Sequence, residues 1–378
     1  MRFLVLGCGN IGSVIARDLI KSSPSYRVTI VDLSEEKVKR VARDIRDERL
    51  DYMIGDATNP DTLKDFSRGI DVIINALPGS IGYKVMKNAI SIGVNLVDVS
   101  YMPENPLSLD QVAKERNITI IPDAGFAPGI SNILIGYASL LFDKLSLVRI
   151  YVGGLPQEKI PPLNYCLTWS AEDLIEEYTR PARIIKNGKI VEVEALSGLE
   201  KISMGEVGEL EAFYTDGLRT LLYTIKAENM EEKTLRYPGH VDKILLMKQL
   251  GLFDDEELNI DGQRIIIKRF TARLLEQRFA CKDVKDLVIL RVLVRGTREG
   301  KELEKVFELI DYYDDKTGIT AMGRTTGFTA SIIAQLLAQG IIREKGVIPP
   351  EYLGRNMDVF QLIISELSKR GIRIIGVD

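Results

Sequence analysis

The start of the chain combines a short apolar run with three glycines in the pattern Gly-x-Gly-x-x-Gly. The run Phe-Leu-Val-Leu leads into Gly7. A helix pattern begins near Ile11, within the glycine motif. In such a motif the first glycine makes a tight turn, the second lets the backbone approach a pyrophosphate, and the third packs helix against strand. Free N–H groups at the helix start then favour the phosphates. The predicted cofactor contacts in this loop are Gly7, Gly9, Asn10, Ile11 and Gly12.

An acidic residue follows at the position that such a motif requires. Asp32 ends the second apolar run, twenty residues after Gly12, where a carboxylate binds the adenosine ribose hydroxyls. A carboxylate there repels a 2′-phosphate, and Leu33-Ser34 offers no arginine to neutralise one. These residues favour NAD over NADP, while the nearby Lys37 and Arg40 leave the NADP alternative open.

Apolar, β-branched runs alternate with helix patterns over the first 125 residues. This alternation predicts βαβ units and a doubly wound parallel sheet of the Rossmann type, which places ligands at the carboxyl ends of its strands. Asp56 and Ala57 follow the third strand and are predicted to line the adenine pocket. Asp56 or Thr58 could instead cap a helix, and both roles can hold at once. Three residues after the fourth strand are predicted to approach the nicotinamide ribose, unless they form a plain turn: Ala76, Leu77 and Pro78.

The pattern of predicted strands and helices changes after Gly125. Strand patterns become irregularly spaced, which predicts an α+β domain with a mixed sheet. The 378 residues are therefore divided into a cofactor domain (1–125), a substrate and dimerisation domain (126–325) and C-terminal helices (326–378) that return to the first domain. Three local predictions in these parts are a strand at 220–225, a solvated acidic loop at 254–261 and a last strand at 373–377.

The composition excludes several classes of protein. A net charge of −4 gives no support to nucleic-acid binding, and one histidine rules out a multi-histidine metal site, so no metal is expected. Three cysteines, an odd number, favour a reducing compartment without disulfides. The sequence contains no apolar stretch long enough to span a bilayer. We expect a cytoplasmic protein that acts on a small molecule and binds neither nucleic acid nor membrane.

Residues with catalytic potential follow the fifth and sixth strands and occupy one later turn. Asp98 and Tyr101 follow the fifth strand and Asp123 follows the sixth, where capping or turn formation is the alternative role. Arg236 and His240, the lone histidine, flank a Pro-Gly turn. Arginine offers a planar fork for a carboxylate, and histidine is suited to proton transfer near neutral pH. A single histidine is often inert, so both roles of His240 stay open at this point.

Most of the chain resembles the saccharopine dehydrogenase-like oxidoreductases. Members of that family that act as saccharopine reductases read Gly-Leu-Asp-Pro-Gly where this chain has Gly-Phe-Ala-Pro-Gly, so that Ala127 replaces a substrate-contacting aspartate. Val152 likewise replaces a cysteine. The segments that carry the resemblance are Gly7–Gly12, Gly55–Thr58, Asp98–Tyr101, Gly125–Gly129, Gly153–Pro156, Thr168–Ser170 and Leu235–Tyr237.

The segments 123–129 and 236–240 resemble the L-lysine 6-dehydrogenase branch of that family. This resemblance implies a homodimer and NAD-dependent oxidative deamination of the lysine ε-amino group, giving aminoadipate semialdehyde (which cyclises to piperideine carboxylate), ammonia and NADH. In this hypothesis His240 is the general base, Arg236 holds the α-carboxylate, Asp123 or Asp98 binds an amino group, and Tyr101 shapes the pocket. The alternatives are a saccharopine reductase, a carboxynorspermidine-type dehydrogenase and a non-catalytic NAD-sensing protein.

Overall fold

The computed structural model describes residues 1–167, 169–279 and 284–377, so that Thr168 and Cys281 lie outside the described residues. The chain forms two compact units. The first comprises 1–141, 223–225 and 322–374, and the second comprises 142–222, 226–321 and 375–378. The sequence prediction divided the chain at 125/126 and 325/326, whereas the main divisions of the structure fall at 141/142 and 321/322.

Strands and helices alternate from the start of the chain, as the apolar pattern predicts. The strands are β1 (Arg2–Leu6), β2 (Arg27–Asp32), β3 (Leu50–Ile54), β4 (Val72–Asn75), β5 (Asn95–Asp98), β6 (Thr119–Ile121), β7 (Lys144–Pro156), β8 (Ala182–Lys186), β9 (Lys189–Val193), β10 (Glu200–Ser203), β11 (Glu209–Tyr214), β12 (Ala227–Arg236), β13 (Glu257–Ile260), β14 (Gln263–Ile266), β15 (Asp286–Arg298), β16 (Lys301–Tyr312) and β17 (Gly346–Val347). The helices are α1 (Asn10–Ser22), α2 (Glu35–Ile45), α3 (Pro60–Phe66), α4 (Gly79–Ile92), α5 (Asp110–Glu115), α6 (Ile130–Ala138), α7 (Ala171–Thr179), α8 (Leu221–Thr224), α9 (His240–Gln249), α10 (Ile267–Phe279), α11 (Ala321–Ala338), α12 (Pro350–Arg355) and α13 (Met357–Lys369).

The first unit is built on a parallel sheet with the strand order β17-β6-β5-β4-β1-β2-β3. Its central strands are apolar and buried along nearly their whole length, as in a sheet covered by helices on both faces. The strand order reverses between β1 and β4, which is where sheets of this kind bind their ligands. Strand β17 returns from the C-terminal part and pairs in parallel with β6. The predicted doubly wound parallel sheet is confirmed.

The second unit contains a mixed sheet with the order β10-β11-β12-β7-β15-β16, to which β8 and β9 attach as a hairpin beside β12. The pair β12–β7 is parallel, whereas the other neighbours along this order are antiparallel. Strand β12 is therefore a central strand with partners on both sides. The predicted α+β architecture with a mixed sheet is confirmed.

Two local predictions fail for identifiable reasons. Residues 220–225 contain helix α8 rather than a strand, because the buried residues Leu218, Leu221, Leu222 and Ile225 have the i, i+3, i+4, i+7 spacing of a helix. The acidic stretch 254–261 is only partly a loop, since it contains β13. The Asp261-Gly262 turn, with φ of 51° and 82°, joins β13 to β14 as a two-residue hairpin.

The C-terminal prediction at 373–377 also differs from the structure. Ile375 forms a single bridge to Glu308 and does not extend into a strand. Among the described residues, no helix is long and apolar enough to cross a membrane.

The cysteines differ from the sequence expectation in one respect. Cys8 is a free, buried thiol, while Cys166 is disulfide-bonded. The expectation that the chain forms no disulfide is therefore wrong for Cys166. The compartment of the protein stays a prediction.

Candidate functional site

The glycine loop after β1 has two kinds of glycine. Gly7 has φ +96°, and a Cβ there would lie 2.7 Å from the carbonyl oxygen of Ala76. A Cβ on Gly12 would lie 1.9 Å from the carbonyl oxygen of Gly7. A Cβ on Gly9, in contrast, would meet nothing within 4 Å. Gly7 and Gly12 are thus required by the packing of the chain itself, whereas the space in front of Gly9 is open for a ligand.

Helix α1 begins at Asn10 directly behind this open space. Gly9 is its N-cap residue, and no side chain caps the helix. The first turn of a helix presents N–H groups and a partial positive charge, which bind phosphate oxygens. The loop therefore fits the pyrophosphate of a dinucleotide.

Asp32 is held in place behind the loop. Its two carboxylate oxygens accept hydrogen bonds from the backbone N–H groups of Cys8 and Ser34, each at 2.9 Å. Burial, and next the charge of Asp32, raise the pKa of the Cys8 thiol to about 12. Cys8 is therefore an uncharged thiol at neutral pH. The charges of the exposed Lys37 and Arg40 act in the opposite direction and lower the pKa of Cys8.

The turn after β3 is held together by Asp56. Asp56 accepts hydrogen bonds from the backbone N–H and the hydroxyl of Thr58, at 2.9 and 2.8 Å, and these bonds lower the pKa of Asp56. Helix α3 is capped by Asn59, whose side chain accepts from the N–H groups of Asp61 and Thr62. The alternative that Asp56 or Thr58 caps this helix is therefore wrong. Asp56 is exposed and Ala57 is buried at this end of the sheet.

The turn after β4 touches the glycine loop. The N–H of Ala76 donates to the carbonyl of Leu6 at 2.9 Å, and the Ala76 methyl group lies 3.6 Å from the Cβ position of Gly12. Pro78 is the N-cap residue of α4, and Leu77 is half-buried beside it. The residues predicted to approach the nicotinamide ribose thus lie next to the predicted pyrophosphate loop.

Two buried carboxyl groups meet at the ends of β5 and β6. Asp98 is fully buried and accepts hydrogen bonds from Asn75 Nδ2 at 2.5 Å and from the N–H and hydroxyl of Ser100 at 2.8 and 2.6 Å. Burial raises the pKa of Asp98 to about 7 against the effect of these hydrogen bonds, and the charge of Asp123 adds to the rise. Tyr101 lies half-buried on the loop that follows.

The backbone around Asp123 is unusual. Asp123 is 1% exposed and has φ +52°, a left-handed conformation that costs free energy for a residue with a side chain. Its neighbour Ala124 donates an N–H hydrogen bond to the carbonyl of Asp98 at 2.8 Å. Strain of this kind is typical of functional sites. The structure therefore brings the predicted residues Asp98 and Asp123 together within the first unit.

The segment after Asp123 forms a closed loop before α6. Gly129 has φ +141°, and a Cβ there would lie 1.9 Å from the carbonyl oxygen of Gly125. Ile130 N–H also donates to that carbonyl at 3.1 Å. Ala127 lies half-buried within this loop. The loop conformation thus depends on glycine at position 129.

Arg236, at the end of β12, is buried in the second unit. Its Nη2 pairs with Glu177 Oε2 at 2.8 Å, its Nε donates to the Tyr178 hydroxyl at 3.2 Å, and its Nη1 donates to the carbonyl of Leu235 at 2.9 Å. The guanidinium also lies 4.7 Å from the centre of the Tyr165 ring. The arginine predicted to hold a carboxylate already has a carboxylate partner in this structure.

His240 is fully buried at the start of α9. Its Nδ1 lies 2.8 Å from the carbonyl oxygen of Leu163, which can only accept, and so Nδ1 carries the proton. Nε2 then accepts from the Tyr178 hydroxyl at 2.9 Å. Burial, and next the charge of Arg236, lower the pKa of His240 to about 3. Both ring nitrogens are thus occupied, and this geometry does not suit the predicted role of general base.

Glu177, Tyr178 and Glu232 are site candidates that the sequence analysis missed. Glu177 and Tyr178 lie on α7, whose sequence is that of an ordinary amphipathic helix. They contact Arg236 directly, but they are far from it in the sequence. Glu232 is a buried acid within β12. One available signal was the run of charged residues in 231–236, which is unusual for a strand in the interior of a sheet.

Two family models match consecutive parts of the chain. Residues 3–121 match the family model "Saccharopine dehydrogenase NADP binding domain", and residues 125–372 match "Saccharopine dehydrogenase C-terminal domain". The first region is thus a nucleotide-cofactor domain.

Individual proteins are similar at low identity. An alpha-aminoadipic semialdehyde synthase from Arabidopsis thaliana is 26% identical over 78% of this chain and 36% of its own length. A saccharopine dehydrogenase (NADP⁺, L-glutamate-forming) from Pyricularia oryzae is 24% identical over 65% of this chain and 58% of its own length. The match thus spans only about a third to three fifths of these two relatives. The solved structure of apo saccharopine dehydrogenase (L-Glu forming) from Saccharomyces cerevisiae shares the fold, with 19% identity, a TM-score of 0.80 and both chains covered to 100%.

Proposed function

The chain belongs to the saccharopine dehydrogenase family, and on that premise we propose that it is an NAD-dependent dehydrogenase that oxidatively deaminates the ε-amino group of L-lysine. The observation that carries the proposal is the pair of buried acids at the carboxyl edge of the parallel sheet. Asp123 is held there in a left-handed conformation beside Asp98. Two carboxyl groups suit a substrate that brings an ammonium group to the cofactor.

In this proposal the two acids of the first unit have different roles. Asp123 binds the ε-ammonium group and orients its carbon. Asp98, with a pKa raised to about 7, accepts the proton that the amine must lose before oxidation, the role first predicted for His240. Bound NAD supplies the hydride acceptor. Water then adds to the oxidised carbon, ammonia leaves, and aminoadipate semialdehyde is formed.

Arg236 of the second unit is the residue proposed for the α-carboxylate of the substrate. Arg236 binds the α-carboxylate through its planar fork, and His240 orients Tyr178, which contacts Arg236. Tyr101 shapes the pocket, and a homodimer in the cytoplasm is the expected form of the protein.

The choice of NAD rests on Asp32. Its carboxylate is fixed by two backbone N–H groups. In this proposal it accepts the ribose hydroxyls and repels a 2′-phosphate. The family model is described as NADP-binding, and Lys37 and Arg40 are the residues that would serve a 2′-phosphate if NADP is the cofactor. Lysine oxidation with each cofactor decides between them.

A second candidate is saccharopine oxidation, because a similar protein from Pyricularia oryzae is named for it. Ala127, which stands where the resemblance leads us to expect an aspartate in saccharopine reductases, favours lysine. The test incubates the protein with NAD or NADP and a panel of lysine, saccharopine, other amino acids and polyamines, and follows absorbance of the reduced cofactor. Turnover of lysine with NAD supports the proposal. Turnover of saccharopine, or of a polyamine substrate, without lysine oxidation contradicts it.

A further inference from the structure

A continuous row of side-chain oxygens connects two acids inside the second unit. Glu232 Oε2 lies 2.8 Å from the hydroxyl oxygen of Thr215, which lies 2.8 Å from the hydroxyl oxygen of Thr234. The Thr234 hydroxyl in turn lies 2.9 Å from Glu177 Oε1. Four oxygen atoms thus make three contacts of hydrogen-bond length in a row.

The number of protons in this row is constrained by chemistry. Each contact between two oxygens needs one proton, because two oxygens at 2.8 Å without a proton only repel each other. The hydroxyls of Thr215 and Thr234 supply one proton each. Three contacts need three protons, and the third must therefore sit on one of the two carboxyl groups. Glu177 and Glu232 together carry one proton and one negative charge.

The surroundings decide which acid holds the proton. Glu177 pairs with the guanidinium of Arg236 at 2.8 Å, so that a cation lies directly against its carboxylate. Glu232 is 4% exposed, and the backbone of Gly217 packs so closely that a Cβ there would lie 2.3 Å from Glu232 Oε2. Burial, and next the charges of Glu177 and Asp216, raise the pKa of Glu232 to about 8, against hydrogen bonds from Thr215 and the Gly217 backbone that lower it. Glu232 is therefore the protonated end.

Among the described contacts, two charged groups near Glu232 are paired with other residues. Asp216, on the segment that follows β11, is paired with Arg183 at 2.8 Å and lies 3.8 Å from Arg180. On β12 itself, Lys233 bonds to Glu200 at 2.7 Å. In the ground state the row thus runs from neutral Glu232 through two hydroxyls to ionised Glu177.

We propose that Glu232 and Glu177 share one proton through Thr215 and Thr234, and that its transfer to Glu177 releases Arg236 to bind a carboxylate of the substrate. In the transfer each O–H bond of the row breaks as the next one forms, so that Glu232 becomes a carboxylate and Glu177 a carboxylic acid. No proton enters or leaves, and no other reactant is needed. The second half of the proposal rests on the proposed function, because it assumes a substrate with a carboxylate.

The function of this transfer follows from the position of Glu177. In its ionised form Glu177 neutralises Arg236, and a substrate carboxylate must compete with it. Once Glu177 is protonated, the charge of Arg236 is available to the substrate, and the displaced negative charge lies at Glu232, two hydroxyl groups away. Glu177 and Glu232 are thus positioning residues that act through Arg236.

The shared proton can be observed without any turnover. Infrared spectra of protein labelled with ¹³C at the glutamate carboxyl separate protonated glutamic acids from aspartic acids such as Asp98. At about pH 6 the wild type should show a protonated glutamic acid band that disappears as the pH rises through about 8, and E232Q should lack it. Absence of the band in the wild type, or its persistence in E232Q, overturns the proposal.

Variants of the threonines test the row itself. In T215V the carboxyl proton of Glu232 loses its acceptor, so that the band should shift to higher frequency, whereas T215S should keep the wild-type band. An unchanged band in T215V overturns the row. This measurement does not depend on which substrate the enzyme uses, so it remains decisive even if lysine is not oxidised.

The link to substrate binding is tested with the amine that the enzyme turns over. T234V should raise KM by about tenfold with little change in kcat, because Glu177 can no longer be protonated through the row. T234S restores the hydroxyl and should return KM to the wild-type value. A wild-type KM in T234V contradicts the release of Arg236 while leaving the proposed reaction untouched.

Discussion

The glycine loop of the first unit and strand β12 of the second unit both carry predicted functional residues, but their surroundings differ. The space in front of Gly9 is open, and α1 begins behind it without a side-chain cap. Along β12, in contrast, Glu232 and Arg236 bond to other side chains of the same unit. The first region is prepared to receive a ligand directly. In our proposal the second region stores charge in internal pairs and acts on a ligand only when those pairs rearrange.

The largest effects are expected from the two glycines that differ in packing. Gly12→Ala places a Cβ 1.9 Å from a carbonyl oxygen and should abolish both folding of the loop and binding of NADH. Gly9→Ala is the matched change into open space, which should keep the wild-type Tm and yet weaken NADH binding at least about tenfold, since its methyl group occupies the pyrophosphate position. Thermal melts and NADH fluorescence titrations measure both. Wild-type NADH affinity in Gly9→Ala would contradict the comparison.

The buried pair at the end of β12 gives the next largest effect. Arg236→Met leaves Glu177 as a buried charge without its partner and should destabilise the protein by about 3–5 kcal/mol in urea unfolding. The double variant Arg236→Met with Glu177→Gln removes both charges and should recover much of that loss. Equal stability of the single and double variants would mean that the pair does not store charge as described.

The lone histidine should affect stability in acid rather than catalysis. Its pKa is about 3 in the folded protein against 6.5 as the ordinary value, so protons bind preferentially to the unfolded chain between these limits. This group should therefore remove about 1.4 kcal/mol of stability per pH unit as the pH falls below about 6.5, until about pH 3. The difference between wild type and His240→Gln in urea unfolding isolates this slope from the opposite slopes of Asp98 and Glu232. Two results would instead support His240 as the general base. One is a difference in unfolding free energy that does not depend on pH, and the other is loss of a kcat titration near neutral pH in His240→Gln.

The smallest effect concerns cofactor choice. Asp32→Ser removes the carboxylate that repels a 2′-phosphate while Lys37 and Arg40 remain, and it should shift the ratio of kcat/KM for NADP over NAD upward by about tenfold. Steady-state kinetics with both cofactors measure the ratio. A wild-type enzyme that already prefers NADP would show that Lys37 and Arg40, rather than Asp32, determine the choice.

The sequence predicted more of the first region than of the second, and the reasons are physical. The dinucleotide loop has a local signal, because the glycines, the helix start and Asp32 have fixed spacings along the chain. Strand β12 was missed because its residues 231–236, with Glu232, Lys233 and Arg236 buried, break the apolar pattern that identifies a central strand. Its partners Glu177 and Thr215 come from α7 and the segment that follows β11, contacts that only the fold reveals.

The proposed site residues follow the same division. Asp98 and Asp123 were predicted to lie close together because they follow strands whose ends share one edge of a parallel sheet. His240 was assigned a base role from residue type alone, and its burial against Leu163 and Tyr178 could not be read from the chain. Residue chemistry predicts what a side chain can do, whereas its partners decide what it does.

The most direct test of the central claim follows the hydrogen that leaves the substrate. Lysine deuterated at C6 should give NADH that carries one deuterium at C4 of the nicotinamide, and lysine deuterated at C2 should give unlabelled NADH. Mass spectrometry of the isolated NADH distinguishes the two. Deuterium transferred from C2, or no NADH from lysine at all, would contradict oxidation of the ε-amino group.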